Sequence, residues 1–116
     1  MTELVTVLST GKGTWSEVAR VIKCQHWEKT FIITNDFGKT FTAENAEIIV
    51  VDMNTEITKL RDNIVKQLNG KIKGLEVGLH MTSGAGKEHM ALLAALLKIG
   101  VSFRLVSVDE KGFIEL

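Results

Sequence analysis

The chain has 116 residues, and its 14 lysine and arginine residues balance 14 aspartate and glutamate residues. This length predicts a single domain over residues 1–116 with a real core, too short for a sensor joined to a separate effector. The charge balance gives no overall field that would attract long nucleic acid, so any anion site must be local. The single cysteine, Cys24, excludes a disulfide within the chain and a multi-cysteine zinc site, which fits a reducing compartment.

The start of the chain lacks the basic leader and apolar core of a secretory signal, and the longest apolar run is far shorter than a membrane span. We therefore expect a cytoplasmic protein with no membrane partner. No two histidines and a carboxylate have a metal-ligand spacing, so the sequence predicts no metal and no cofactor.

Strand-like and helix-like segments alternate along the chain, without a proline or a low-complexity linker. In chain order, the predicted elements are a strand at 4–9, a helix at 15–23, strands at 31–34 and 46–52, a helix at 55–69, a strand at 75–81, a helix at 87–98, and a hairpin of strands 101–108 and 113–116. Residues 41–44 are ambiguous. This alternation predicts a Rossmann-like open α/β fold with a mainly parallel sheet, helices on both faces and a C-terminal β-hairpin.

The strongest local signal is the turn after the 75–81 strand, where Thr82-Ser83-Gly84-Ala85-Gly86-Lys87 precedes an apolar helix. Glycines let the backbone approach a ligand, and the N–H groups of a first helical turn carry partial positive charge, so this turn suits an anion. The alternative is a plain turn in which Thr82 or Ser83 caps the helix. A P-loop is excluded, because Met81 replaces its glycine and Glu88 its Ser or Thr.

A second turn of similar composition, Ser9-Thr10-Gly11-Lys12-Gly13, follows the first strand. In open α/β sheets, ligands bind outside the carboxyl ends of the strands, near the point where the strand order reverses. That edge would gather both turns with Asn35 and Asp36, and with Asp52 as a further candidate. Two such turns on one edge predict a ligand with more than one phosphate.

The run Ser83-Gly84-Ala85-Gly86-Lys87, followed by Met90 in an apolar helix, resembles the Thr-Gly-Gly-Thr-Lys-x-Met signature of the CRISPR-associated Rossmann-fold (CARF) domains. Two residues rather than one separate the lysine from the methionine, and serine and glycine replace the threonines. The first turn, with Ser9 and Thr10 after the strand and Trp15 opening the next helix, is similar to the other ligand-binding loop of that family.

The resemblance implies a homodimer that binds a cyclic oligoadenylate second messenger across its two-fold axis in antiviral defence. A stand-alone domain would either only bind the messenger or act as a metal-independent ring nuclease, in which a ribose 2′-hydroxyl attacks its own phosphodiester. Lys87 would then stabilise charge on the phosphorane and Ser9 or Thr10 would position the ribose. The ligand-binding residues implied are Thr10, Gly11, Lys12, Asn35, Thr82, Ser83, Gly84, Ala85, Gly86 and Lys87.

Other functions stay open. The chain fits an α/β dimerisation or regulatory module without a nucleotide ligand, whereas a nucleotide- or flavin-dependent oxidoreductase is disfavoured because the first turn lacks a full GxGxxG. His80 and His89 flank the second turn, where a histidine can serve as acid or base, although packing is the commoner role. The helix stretch 91–97 is apolar almost all round, which predicts a homodimer through this helix or the final hairpin.

Overall fold

The computed structural model describes residues 2–9 and 14–116. Its elements are β1 (Glu3–Leu8), α1 (Trp15–Lys23), β2 (Lys29–Thr34), β3 (Ala46–Val50), α2 (Ile57–Leu68), β4 (Glu76–His80), α3 (Gly86–Ile99), β5 (Ser102–Asp109) and β6 (Gly112–Glu115). A short 3-10 helix, Asp36–Gly38, follows β2. All the predicted strands and helices are present, with ends within two residues of the predicted ones. The ambiguous residues 41–44 form neither helix nor strand.

The six strands form one sheet in the order β3-β2-β1-β4-β5-β6. Strands β1 to β5 are parallel, and β6 returns antiparallel to β5 as the predicted hairpin. The chain builds outward from β1 to β3, then crosses back to place β4 on the other side of β1. The strand order therefore reverses between β1 and β4, which is the switch point of a Rossmann-like sheet.

Helices cover both faces of this sheet, as predicted. Alternate residues of β1 point to opposite faces: Val5 and Val7 pack under α2 and α3, whereas Leu4 and Leu8 pack under α1. All six residues of β1 are buried, as expected for a central strand with helices above and below. The core thus holds β1 from both faces of the sheet.

Arg104 lies in β5, where an unpaired buried charge would be costly. Its side chain is exposed and forms ion pairs with Glu76 at 2.9 Å and with Glu115 at 3.1 Å. These pairs tie β4, β5 and β6 together on the surface.

The inner face of α3 is buried through Ala91, Leu92, Ala95 and Leu96. On its outer face, Met90 and Leu97 expose 66% and 70% of their surface. The helix is therefore not enclosed within one chain. No helix among residues 2–9 and 14–116 has the length and apolar character needed to cross a membrane.

Candidate functional site

At the switch point β1 and β4 lie side by side, and each strand is followed by a turn. We call residues 9–13 the first loop and residues 82–87 the glycine loop. The fully buried hydroxyl of Ser83 accepts a hydrogen bond of 3.0 Å from the backbone N–H of Ser9. It accepts another, of 2.9 Å, from the hydroxyl of Thr14 at the start of α1. One serine side chain therefore connects the glycine loop to the end of β1 and to α1.

The role of helix cap predicted for Thr82 or Ser83 is wrong. Ala85 occupies the N-cap position of α3 and makes no side-chain capping bond. The side-chain bond at this position comes instead from the first helical turn: the carboxylate of Glu88 accepts a hydrogen bond of 2.9 Å from the backbone N–H of Ala85. Both hydroxyls of the loop are thereby left for contacts with other elements.

The backbone of the glycine loop is held in one conformation. Gly84 has φ +100°, and a Cβ there would lie 3.0 Å from Cγ1 of Val7 and 3.2 Å from Nε2 of His89. His89 donates from Nε2 to the carbonyl oxygen of Ser83 at 2.8 Å. This histidine thus fixes the loop from the first turn of α3, and glycine is required at position 84 both for its backbone angle and for its lack of a side chain.

The first turn of α3 opens at the same edge. The N–H groups of Gly86, Lys87 and Glu88 have no acceptor within the helix, because an α-helix leaves its first N–H groups unpaired. No atom lies within 4 Å of a Cβ built on Gly86, so this side of the turn is open. The helix end therefore offers donors and partial positive charge to an anion, opposed by the nearby carboxylate of Glu88.

The two predicted catalytic residues lie on different sides of this turn. Ser9 is buried at the switch point, and its carbonyl oxygen accepts from Nε1 of Trp15 at 3.2 Å. Lys87 is exposed, and its ammonium group donates to the carbonyl oxygen of Thr55, before α2, at 3.0 Å. The structure brings Ser9 to the glycine loop but directs the lysine towards α2. The other predicted residues of the first loop, Thr10, Gly11 and Lys12, lie outside the described part of the chain.

A buried histidine lies directly beneath the glycine loop. His80 ends β4, exposes 1% of its surface and faces Thr6 of β1 across the sheet. Its Nδ1 lies 3.1 Å from the hydroxyl of Thr6, and its Nε2 lies 2.9 Å from the hydroxyl of Thr82. Burial lowers the pKa of His80, partly offset by the carboxylate of Glu17 on α1, so the imidazole is neutral near pH 7.

A cavity of about 400 Å³ lies further along the same edge, beyond β2 and β3. Its lining includes Asn35, Asp36, Phe37, Asp52, Asn54 and Asn63. Phe37 is 46% exposed, and its ring meets the indole of Trp15 edge-on with centroids 5.6 Å apart. Trp15 therefore connects this cavity, which we call the edge cavity, to the end of β1. Its aromatic, amide and carboxylate groups suit a base and a ribose.

Two larger cavities lie at the opposite, amino edge of the sheet, of about 540 and 630 Å³. In the larger, Glu47 pairs with both Lys29 and Lys71, and the hydrogen bond from Lys71 is the main cause of the lowered pKa of this carboxyl group. The buried Glu3 carboxylate accepts from the backbone N–H groups of Lys73 and Gly74. The carboxylates of the larger cavity therefore already have partners, and we place the candidate site at the carboxyl edge, where the glycine loop lies.

Among the described residues, no group of three or more His, Cys, Asp or Glu side chains could hold a metal ion. Cys24 is exposed, and desolvation is the main reason that its pKa is raised, so this thiol is not activated.

Fold and site together define a Rossmann-like α/β domain in which the glycine loop lies at the switch point. No protein-family model matches the chain, and no curated protein is significantly similar to it.

Proposed function

We propose that this domain binds a cyclic oligoadenylate, as a CARF-like module of antiviral defence, at the carboxyl ends of β1 and β4. The observation that carries the proposal is the hydrogen bond between Ser83 and Ser9, which joins the glycine loop to the first loop where the strand order reverses. The unpaired N–H groups of α3 open at the same edge, and they are donors of the kind that bind phosphate.

The edge cavity supports a nucleotide rather than a simple phosphate. A phosphate held at α3 leaves the nucleoside to extend along the sheet edge, where Phe37 offers an exposed ring and Asp36 an exposed carboxylate. Aromatic rings stack on bases, and carboxylates accept hydrogen bonds from ribose hydroxyls. The volume of this cavity falls within the range of about 300 to 1,000 Å³ that small-molecule sites occupy.

Lys87 can join such a ligand at small cost. Its hydrogen bond to the carbonyl of Thr55 is exposed, and a net contribution of about 0.5 to 1.5 kcal/mol is usual for one hydrogen bond. A bound phosphate offers the ammonium group a partner of opposite charge, which adds Coulombic attraction that the neutral carbonyl of Thr55 does not provide. We expect the lysine to turn from Thr55 to the ligand on binding.

A homodimer is the second part of the proposal. Besides Met90 and Leu97 on α3, the hairpin exposes Leu105 and Leu116, which are joined by a backbone hydrogen bond of 2.8 Å. Because α3 begins in the glycine loop, a two-fold axis along this helix would bring two glycine loops to one side of the dimer. Two glycine loops on one side would offer a ring with several phosphates two sets of helix N–H donors. Leu97→Lys should therefore give a monomer in analytical ultracentrifugation, whereas Lys98→Ala should stay dimeric.

The proposal is tested by titrating ¹⁵N-labelled protein with cyclic tetra-adenylate and following the backbone N–H resonances. We expect the largest shifts at residues 83–88 and 35–37, and little change at Lys29, Glu47 and Lys71 on the amino edge. Shifts confined to the amino edge would contradict the proposed site. No shifts at saturating concentrations would favour a dimerisation or regulatory module without a nucleotide ligand.

A further inference from the structure

The smaller of the two cavities at the amino edge, of about 540 Å³, has no part in the proposed function. It lies where the end of α1 meets the segment 41–45, and we call it the α1 cavity. Its volume falls within the range of about 300 to 1,000 Å³ that small-molecule sites occupy. The apolar part of its lining consists of Ala19, Ile22, Trp27, Phe41 and Ala43.

The lining of the α1 cavity favours a neutral ligand. The charges of Lys23 and Glu44, which both line it, have opposite signs. The thiol of Cys24, also on the lining, is uncharged near pH 7, because desolvation raises its pKa. The indole N–H of Trp27 is already used, since it donates to the carbonyl oxygen of Val21 at 3.0 Å. The indole and phenyl rings therefore present carbon surface, which suits an aromatic ligand.

One buried polar atom beside the α1 cavity has no partner. The hydroxyl of Thr30 in β2 is fully buried and makes no hydrogen bond within the described part of the chain. Alternation along β2 places Thr30 on the same face as Ile32, which belongs to one core cluster with Trp27. The backbone N–H of Thr30 donates to the carbonyl oxygen of Asn45, a lining residue, at 2.9 Å. The unpaired hydroxyl therefore lies next to the inner wall of the cavity.

The segment that carries Ala43 and Asn45 can yield to a ligand. Residues 41–45 form neither helix nor strand. Asn45 has φ +55°, a backbone conformation that residues other than glycine rarely adopt. A turn hydrogen bond of 3.3 Å, from the N–H of Ala46 to the carbonyl oxygen of Ala43, closes this segment onto β3. A small outward shift of the turn would let a ligand in the cavity reach the hydroxyl of Thr30.

We propose that the α1 cavity binds a small neutral aromatic alcohol, whose ring packs against Trp27 and Phe41 and whose hydroxyl bonds to Thr30. A phenolic hydroxyl both donates and accepts, so it can pair with the threonine whichever way that hydroxyl is turned. The ring displaces water from carbon surface, which is favourable. This site lies at the amino edge, away from the glycine loop, so the inference does not depend on the proposed function.

The test titrates the ¹⁵N-labelled full chain with phenol and, separately, with toluene, which has the same shape but lacks the hydroxyl. Both probes should shift the backbone resonances of residues 22–27 and 41–45 and the indole N–H resonance of Trp27. Phenol should bind about threefold tighter or more, the gain that one hydrogen bond provides. The N–H resonances of the glycine loop should not shift.

Thr30→Val keeps the shape of the side chain and removes its hydroxyl. Phenol and toluene should bind this variant equally, whereas Thr58→Val, at an exposed position of α2, should keep the preference for phenol. Ala43→Leu fills part of the cavity and should weaken both probes, and Ala94→Leu, at a half-buried position of α3, should weaken neither. If Thr30→Val fails to fold, the comparison of the two probes on the wild-type chain still decides the outcome.

Three results would overturn the inference. Equal affinity of phenol and toluene for the wild type would mean that the hydroxyl of Thr30 does not meet the ligand. Shifts confined to the glycine loop would place the ring at the carboxyl edge instead. No shifts with either probe, from a folded chain, would remove the α1 cavity as a ligand site and leave the proposed binding of a cyclic oligoadenylate untouched.

Discussion

The backbone N–H of Ser9, at the end of β1, has as its acceptor the side chain of Ser83, 74 residues further along the chain. Both residues are buried, so neither group can turn to water instead. The side chain of Ser83 therefore helps to set the position of the glycine loop relative to β1. This contact holds the end of β1 against the glycine loop, where the proposed ligand would bind.

Ser83→Ala removes that acceptor and leaves a buried N–H unpaired. We expect the free energy of unfolding to fall by about 1 to 3 kcal/mol, the usual cost of such a group. Urea denaturation measures this difference. Ser16→Ala, at an exposed position of α1, should change stability by less than about 0.5 kcal/mol. Equal losses in the two variants would show that the bond between Ser9 and Ser83 contributes nothing.

Gly84→Ala tests the backbone of the glycine loop. The variant places a Cβ 3.0 Å from Val7 in a residue with positive φ, so it combines a close contact with backbone strain. We expect a loss of at least about 1 kcal/mol in thermal or urea unfolding. Gly86→Ala is the matched control: it meets no atom within 4 Å and lies in a helix, so it should be neutral or slightly stabilising. Similar destabilisation by both substitutions would contradict this account.

His80 should make stability fall in mild acid. Its pKa is lowered in the folded protein, mainly by burial, whereas the unfolded chain has an ordinary histidine pKa of about 6.5. The unfolded state therefore binds more protons between these two values. Stability is full above about pH 6.5 and is lost as the pH falls through the lower, folded pKa.

The measurement for His80 is the free energy of unfolding in urea from pH 7.5 to pH 5. His80→Gln should flatten this slope, and His26→Gln, at an exposed position, should keep it. An unchanged slope in His80→Gln would mean that other groups cause the acid sensitivity.

Glu88→Gln tests the negative charge at the start of α3 while keeping the hydrogen bond to Ala85. A glutamine oxygen can still accept from the N–H of Ala85, but the negative charge beside the proposed phosphate position disappears. We expect affinity for cyclic tetra-adenylate to rise about fivefold, equivalent to about 1 kcal/mol. Glu110→Gln, in the turn between β5 and β6, changes the net charge equally and should leave affinity unaltered. A rise in both variants would indicate a general charge effect.

Local sequence patterns were sufficient to predict the helices and strands of this fold. Trp15, Val18 and Ile22 repeat at helical spacing, and the predicted helix 15–23 has the observed bounds. Strand order was not predictable, because β2, β3 and β4 are all short apolar runs and nothing in their residues says which of them flanks β1. The reason for a glycine at position 78, in the middle of β4, was not predictable either. A Cβ there would lie 2.8 Å from the ring of Trp27, which is distant in sequence.

The carboxyl edge itself was predictable, since parallel strands end there. The partners of its side chains were not. Ser83 is a residue type that commonly caps helices, but its hydroxyl accepts a hydrogen bond from Ser9. Lys87 is a residue type that commonly binds phosphate, but its ammonium group donates to the carbonyl of Thr55. His80 could be read as a packing residue because its two partners are hydroxyls, which carry no distinctive sequence pattern. Such contacts depend on packing across the sheet, which residue spacing does not encode.

The most direct test of the account is an equilibrium titration of fluorescent cyclic tetra-adenylate with the wild-type chain, followed by polarisation. We predict a dissociation constant on the order of 1 μM or tighter, about −8 kcal/mol, with one ring bound per two chains. No change in polarisation at protein concentrations on the order of 100 μM, about −5.5 kcal/mol, would contradict the proposed function.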